Sequence, residues 1–233
     1  MAKKDQIKEE TLVDVQQVYT STEKFLEKNR KALTIGISAI ALVFAGFFSY
    51  QYFIKKPKEI EASNAVFMAD LWSEMDSLEW AVNGKDEHEG YEALASKYEG
   101  TAVGKRAHFW CGVYYRDKKA DFAAALEHFK KADFDDNAVG IEATAAVGDM
   151  YIQQGNIAEG ADWLDKAVKQ ASRSESKEFT VPFYGLKAAK AFLELGNNNK
   201  AKVILEDIVD NYDKKGQEGG EAAKLLAYIK AQG

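Results

Sequence analysis

Cysteine and proline are nearly missing from this 233-residue chain, which has one Cys and two Pro. One thiol excludes a disulfide framework and a cysteine-type zinc site. Two prolines exclude a proline-rich linker protein and disfavour a turn-dense β-sandwich. An excess of positive charge is missing too: 31 Lys+Arg stand against 37 Asp+Glu, a net −6. Phosphate backbones are bound by Lys and Arg, so no nucleic-acid partner is expected.

What is present divides into two unlike pieces. Residues 1–58 carry 10 Lys+Arg and 6 Asp+Glu, a net +4, whereas residues 59–233 carry 21 and 31, a net −10. The acidic portion is long enough for one domain with its own core. Within the basic portion, residues 32–54 (ALTIGISAIALVFAGFFSYQYFI) are 23 positions without a charge. As a helix they reach roughly 35 Å, enough for a hydrocarbon core of about 30 Å. Lys28, Arg30 and Lys31 flank one end, and Lys55, Lys56 and Lys58 the other. A core helix would not be apolar on every face between two basic clusters. A cleaved signal peptide would end in small residues, not in aromatics and lysines. The segment reads as a retained transmembrane helix. Four Lys/Arg near its N-terminal end against three at the other favour a cytosolic N-terminus slightly. Ala41, Ala45 and Ser49 recur every fourth residue, and Ala32 and Gly36 repeat the spacing. Gly36, Ala41, Ala45 and Ser49 are thus the candidates for packing against another transmembrane helix. Upstream, Leu12, Val15, Tyr19, Thr22 and Leu26 suggest a short amphipathic helix, and Thr20 with Glu23 reads as a capping box.

Beyond residue 58 the pattern is helical, without strand-like alternation. The segment VGDMYIQQGNIAEGADWLDKAV sets Val147-Gly148, Tyr151, Gly155-Asn156, Gly160-Ala161, Leu164 and Ala167 at tetratricopeptide-repeat offsets. Small residues let paired helices approach, and large ones fill the gaps between turns. Downstream, Ala188-Ala189, Phe192, Gly196-Asn197, Ala201, Leu205 and Ile208 follow the same spacing. Upstream, Cys111-Gly112, Tyr115, Phe122, Ala125, Phe129 and Ala132 do so with one extra residue in the turn RDKKADF. The expected organisation is a tail over 1–31, a transmembrane helix over 32–54, and juxtamembrane and N-terminal capping helices over 55–102. Three repeats over 103–212 and a capping helix over 213–233 follow. The fold class is all-α: one N-terminal transmembrane helix, then a tetratricopeptide-repeat-like α-solenoid of about nine helices. One long helix is expected over 59–82. A mobile loop, polar until Phe179, is expected at QASRSESKEFTVP, and a helix break at Gly219-Gly220.

Few residues suggest chemistry. His88, His108 and His128 lie twenty apart, without the second ligand at i+4 that a zinc helix requires. They read as surface or half-buried structural residues, and Cys111 as a quiet core thiol. Neither a catalytic residue, nor a metal site, nor a cofactor is expected. A repeat solenoid instead offers the inner face of its first helices. Here that face comprises Phe109, Val113 and Arg116; Glu142, Ala145, Asp149 and Ile152; and Phe183, Leu186, Lys190 and Leu193. It has few cations to clamp a carboxylate, so apolar segments or a folded partner fit better than an acidic peptide tail.

The order of parts, with FLEKNRKALTIGISAIALVFAGFFSYQYF followed by KEIEASNAVFMADLW and three degenerate repeats, resembles the YfgM-like ancillary subunits of the bacterial SecYEG translocon. The resemblance is architectural over nearly the whole chain and closest in sequence over residues 25–69. It implies a single-pass inner-membrane protein, N-terminus cytoplasmic and repeat domain periplasmic. It also implies association with a SecYEG-type translocon, a membrane-anchored periplasmic chaperone of the PpiD type and exported client proteins. The alternatives are a scaffold for envelope assembly or division, using the span and membrane lipid only as a tether, and a cytosolic-facing organelle adaptor with the opposite topology.

Overall fold

Alternation of small and large apolar residues at helical spacing, with almost no proline to interrupt it, leaves the backbone one way to satisfy its own donors and acceptors. The structure, a computed structural model, describes residues 23–134, 138–212 and 216–232. Among these residues it is all-helical, with twelve helices and no strand. The chain forms two compact units, Met1–Pro57 and Lys58–Gly233. The amphipathic segment at Leu12–Thr22 and the capping Thr20 lie outside the described residues.

In the first unit, α1 (Arg30–Tyr50) passes into a π-helical turn, Gln51–Lys55. No residue of α1 is buried. The helical run Arg30–Ala65 is long and apolar enough to cross a membrane. Ala41, Ala45 and Ser49 share one exposed face, but Gly36 does not join it. At 3.6 residues per turn, five residues carry Gly36 about 140° round from Ala41. Nothing approaches within 4 Å of a Cβ built at Gly36.

After α2 (Lys56–Ala65), the expected long helix over 59–82 is instead broken into α2, α3 (Phe67–Glu74) and α4 (Leu78–Asn83). Asp76 adopts φ +57° between α3 and α4, a left-handed conformation that a helix interior cannot contain. Ala62, Val66, Ala69, Trp72, Ala81 and Val82, from the three helices and the turn after α2, are buried in one cluster. Next come α5 (Tyr91–Lys97) and α6 (Ala102–Tyr114), the latter started by the Thr101 side chain accepting from Gly104 N–H.

The three helix pairs follow: α6 with α7 (Phe122–Lys131), α8 (Val139–Gln153) with α9 (Ile157–Ala171), and α10 (Lys177–Glu194) with α11 (Asn198–Asn211). The last helix is α12 (Gln217–Gln232). From α5 onward each helix packs mainly on its neighbours in sequence, and α12 also reaches α10. Gly155 (φ +83°) and Gly196 (φ +71°) close the second and third turns, where a side chain would be strained. The first turn lacks such a glycine and has the extra residue. It absorbs both as a π-helical turn, Tyr115–Lys119, ended by Ala120 at φ +51°. Asp121 then caps α7 by accepting from Ala124 N–H.

Two loop expectations are corrected. The connection before α10 is short, because α10 already begins at Lys177 and carries Pro182 inside it. Burial of Val181 and Pro182 outweighs the one helical hydrogen bond that Pro182 cannot make. Gly219 and Gly220 are not a break but belong to the first turns of α12. Glycine costs about 1 kcal/mol in a helix, less than burial of Ala222, Leu226 and Ile229 returns.

The core lies in three clusters that succeed one another along the chain. Two helices serve as shared walls. In α6, Ala107, Cys111 and Tyr114 belong to the first cluster and Phe109 to the second. In α8, Val147 and Met150 belong to the second and Ile141 and Ala145 to the third.

Candidate functional site

Helix α8 is buried on two sides, so its polar residues are confined to a narrow strip. Glu142 and Asp149, two turns apart, occupy that strip. Asp149 forms an ion pair with Lys187 of α10, which donates to its Oδ2 and lies 5.7 Å from the Phe183 ring. Arg116, in the π-helical turn after α6, donates to Asp117 at 2.6 and 3.0 Å. It also sits in the field of Glu142 and Asp149. Arg116 is thereby held firmly charged, and the guanidinium keeps the Asp117 carboxyl below its usual range. Tyr184 faces the same two acids. Burial first, then the charges of Glu142 and Asp149, push its phenol up to about 12. Two cations, two carboxylates and a phenol therefore come near one another from the turn after α6, from α8 and from α10.

Of the residues expected on this face, Phe109, Ala145 and Leu186 are core residues. Phe109 packs edge-on to Phe129 at 5.9 Å. Val113, Ile152 and Leu193 are half-buried at the margins of the clusters. Glu142, Phe183 and Lys190 are exposed, and Lys190 pairs with Glu221 of α12 at 2.7 Å. Tyr184 and Lys187 were not among the expected residues, and no local spacing marks them: Lys187 is placed by its pairing with Asp149 of α8, and Tyr184 by its burial near Glu142 and Asp149.

A second constellation is one that no local spacing announces. His108 on α6 and His128 on α7 place their Nδ1 atoms 3.0 Å apart. The other ring nitrogen of His128, Nε2, lies 3.5 Å from Glu92 Oε1, on α5. Cys111, fully buried, completes the group. Burial, then the charge of Glu92, pushes its thiol well above the ordinary range. Burial likewise lowers His108 to about 4, with His128 and Lys131 adding to the effect. The Tyr115 ring stacks on His128, 5.3 Å between centroids. By contrast His88 is exposed, against Trp72.

No protein-family model matches the chain, and no curated protein matches it. On the face expected to bind, Arg116, Asp149 and Lys190 are paired within the chain, with Asp117, Lys187 and Glu221. Phe183, about half exposed, lies beside Lys187.

Proposed function

We propose that this protein is a membrane-tethered interaction adaptor, a tetratricopeptide-repeat-like α-solenoid attached to a single transmembrane helix. It sits in a bacterial inner membrane with its N-terminus in the cytoplasm and its helical domain in the periplasm. There it associates with a SecYEG-type translocon and a PpiD-type chaperone and assists exported client proteins. One observation carries the reading: three successive helix pairs, each closed over a glycine. A Cβ at Gly112 would meet the Phe129 ring at 2.7 Å, one at Gly148 the Gly160 carbonyl at 2.9 Å, and one at Gly185 the Ile208 side chain at 3.0 Å. Regular close crossings of this kind are how repeat pairs stack, and stacked pairs present one continuous face. The partners' identities rest on the resemblance over residues 25–69 and the repeats.

Affinity purification of the full chain in mild detergent tests the reading, with translocon and periplasmic chaperone as the expected co-purifying proteins. Recovery of neither removes the proposal. Replacing residues 32–54 by an unrelated span should release the translocon, whereas a division or envelope scaffold would keep its partners. Digestion of residues 59–233 from the cytosolic side of intact membranes would overturn the topology.

A further inference from the structure

We infer that Glu92, Cys111 and His128 form a binding site for a zinc ion, oriented by His108. The Glu92 carboxylate, the Cys111 sulfur and a His128 nitrogen all lie within 4.8 Å of one another. They come from three different helices, α5, α6 and α7, so their convergence is a product of packing and not of one helix's periodicity.

Two further observations point to a cation. Glu92 Oε2 is buried and has no hydrogen-bond partner, and a buried carboxylate oxygen without one is a costly exception in a folded protein. The His128 ring is also aimed. Its Nδ1 faces His108 and its Nε2 faces Glu92. In the tautomer in which His128 donates Nδ1–H to His108, its bare Nε2 faces the Glu92 carboxylate, and a cation held between them would be bonded by both. This is how metal-bound imidazoles are usually held, with the second nitrogen donating to a fixed acceptor.

The donor set selects the metal. One sulfur, one imidazole and one carboxylate suit zinc and are foreign to magnesium and calcium, which take oxygen ligands. Zinc bonds of about 2.0–2.3 Å require the three donors to draw together by about 1 Å. On binding, Cys111 releases its thiol proton to solvent and its sulfur bonds the metal. Two negative ligands then balance a divalent ion, so the buried site becomes neutral overall. Half of the Glu92 side chain is open to solvent, with 45% exposure, which supplies the entry path. The ion would tie the capping helix α5 to the first helix pair.

The test uses the full chain in detergent, stripped of metal by chelation and titrated with cobalt, then zinc. Since Cys111 is the one cysteine, a thiolate-to-cobalt charge-transfer band localises the ion to it. The expected result is that band at one cobalt per chain, bleached by one equivalent of zinc. Glu92→Gln and His128→Gln should each weaken binding at least tenfold. His108→Phe should weaken it about 10- to 100-fold while keeping the band, and His88→Ala should change nothing. Circular dichroism checks that each variant keeps its helicity. If His128→Gln loses it, the half-exposed Glu92→Gln carries the test. No band from folded protein, a band at one cobalt per two chains, or a band indifferent to both substitutions overturns the site.

Discussion

Gly148 and Gly160 meet across the α8–α9 crossing with nothing between them. A Cβ on Gly148 would stand 2.9 Å from the carbonyl oxygen of Gly160, and one on Gly160 would stand 2.8 Å from that of Gly148. Backbone cannot yield as a flexible side chain can, so the pair sets how closely these helices approach. That approach lets Leu164 and Ala167 of α9 reach complete burial.

Gly148→Ala should therefore destabilise the protein by about 1–3 kcal/mol, despite alanine's better helix propensity. Gly220→Ala is the contrast, since nothing lies within 4 Å of a Cβ there. It should stabilise by about 0.5–1 kcal/mol. Urea unfolding of the full chain in detergent, followed by tryptophan fluorescence, checks both. Equal effects at the two sites would refute the close-crossing account.

Asp149 and Lys187 should behave as a coupled pair. Both are about one-third exposed, so the coupling should be about 1 kcal/mol, at the top of the range for surface ion pairs. A double-mutant cycle with Asp149→Asn and Lys187→Met measures it, and salt should reduce it. A coupling of zero would mean that the pair does not hold α8 to α10 at this point.

Tyr91 donates to Asp70 Oδ1 at 2.7 Å while Arg106 donates to Oδ2 at 2.7 Å. This bridge joins α3 to α5 and α6. Tyr91→Phe should cost about 1–2 kcal/mol, because it removes a charge-assisted hydrogen bond from a buried ring. Asp70→Asn should cost at least as much, since Arg106 then loses its charged partner. Thermal unfolding of the two variants and their double mutant tests whether they act through one bridge.

Alkaline pH should probe Tyr184. Its phenol is held at about 12 in the folded protein against an ordinary value of 10. The unfolded chain loses that proton first, so the folded state binds more protons between pH 10 and 12. Stability contributed by the neutral phenol is complete below pH 10 and falls as pH rises through 12. Tyr184→Phe should flatten this part of the pH–stability curve. An unchanged slope would show that burial and the neighbouring acids do not hold the Tyr184 phenol above its ordinary value.

Much of the helical domain was legible because its signals are local. Gly155-Asn156 and Gly196-Asn197 marked two turns, and Gly148 and Gly160 declared a crossing, because they stand at equal distances from Gln154. The same symmetry was available for His108 and His128, which flank residue 118 in the first turn at ten residues each. Judged along the sequence they are isolated; folded about their turn they are opposite one another. The break at Asp76 was hidden, since no glycine or proline marks its left-handed backbone, while Trp72 and Val82 on its two sides are buried in one cluster. Tyr184 and Lys187 carry no local signal, because the acids they meet lie on another helix, Asp149 being 38 residues from Lys187.

The sequence by itself determined the helical class, the uncharged span over 32–54 and the small residues at which helix pairs close. Each depends on hydropathy and side-chain size at fixed offsets, and an α-helix converts such offsets into faces by its own geometry. Only the tertiary structure decided which charges meet. Asp149 and Lys187 are 38 residues apart, and Glu92, Cys111 and His128 come from three helices. Their meeting depends on how the helices cross, and crossing is settled by the sum of many small packing contacts, no one of which is written at the residues concerned.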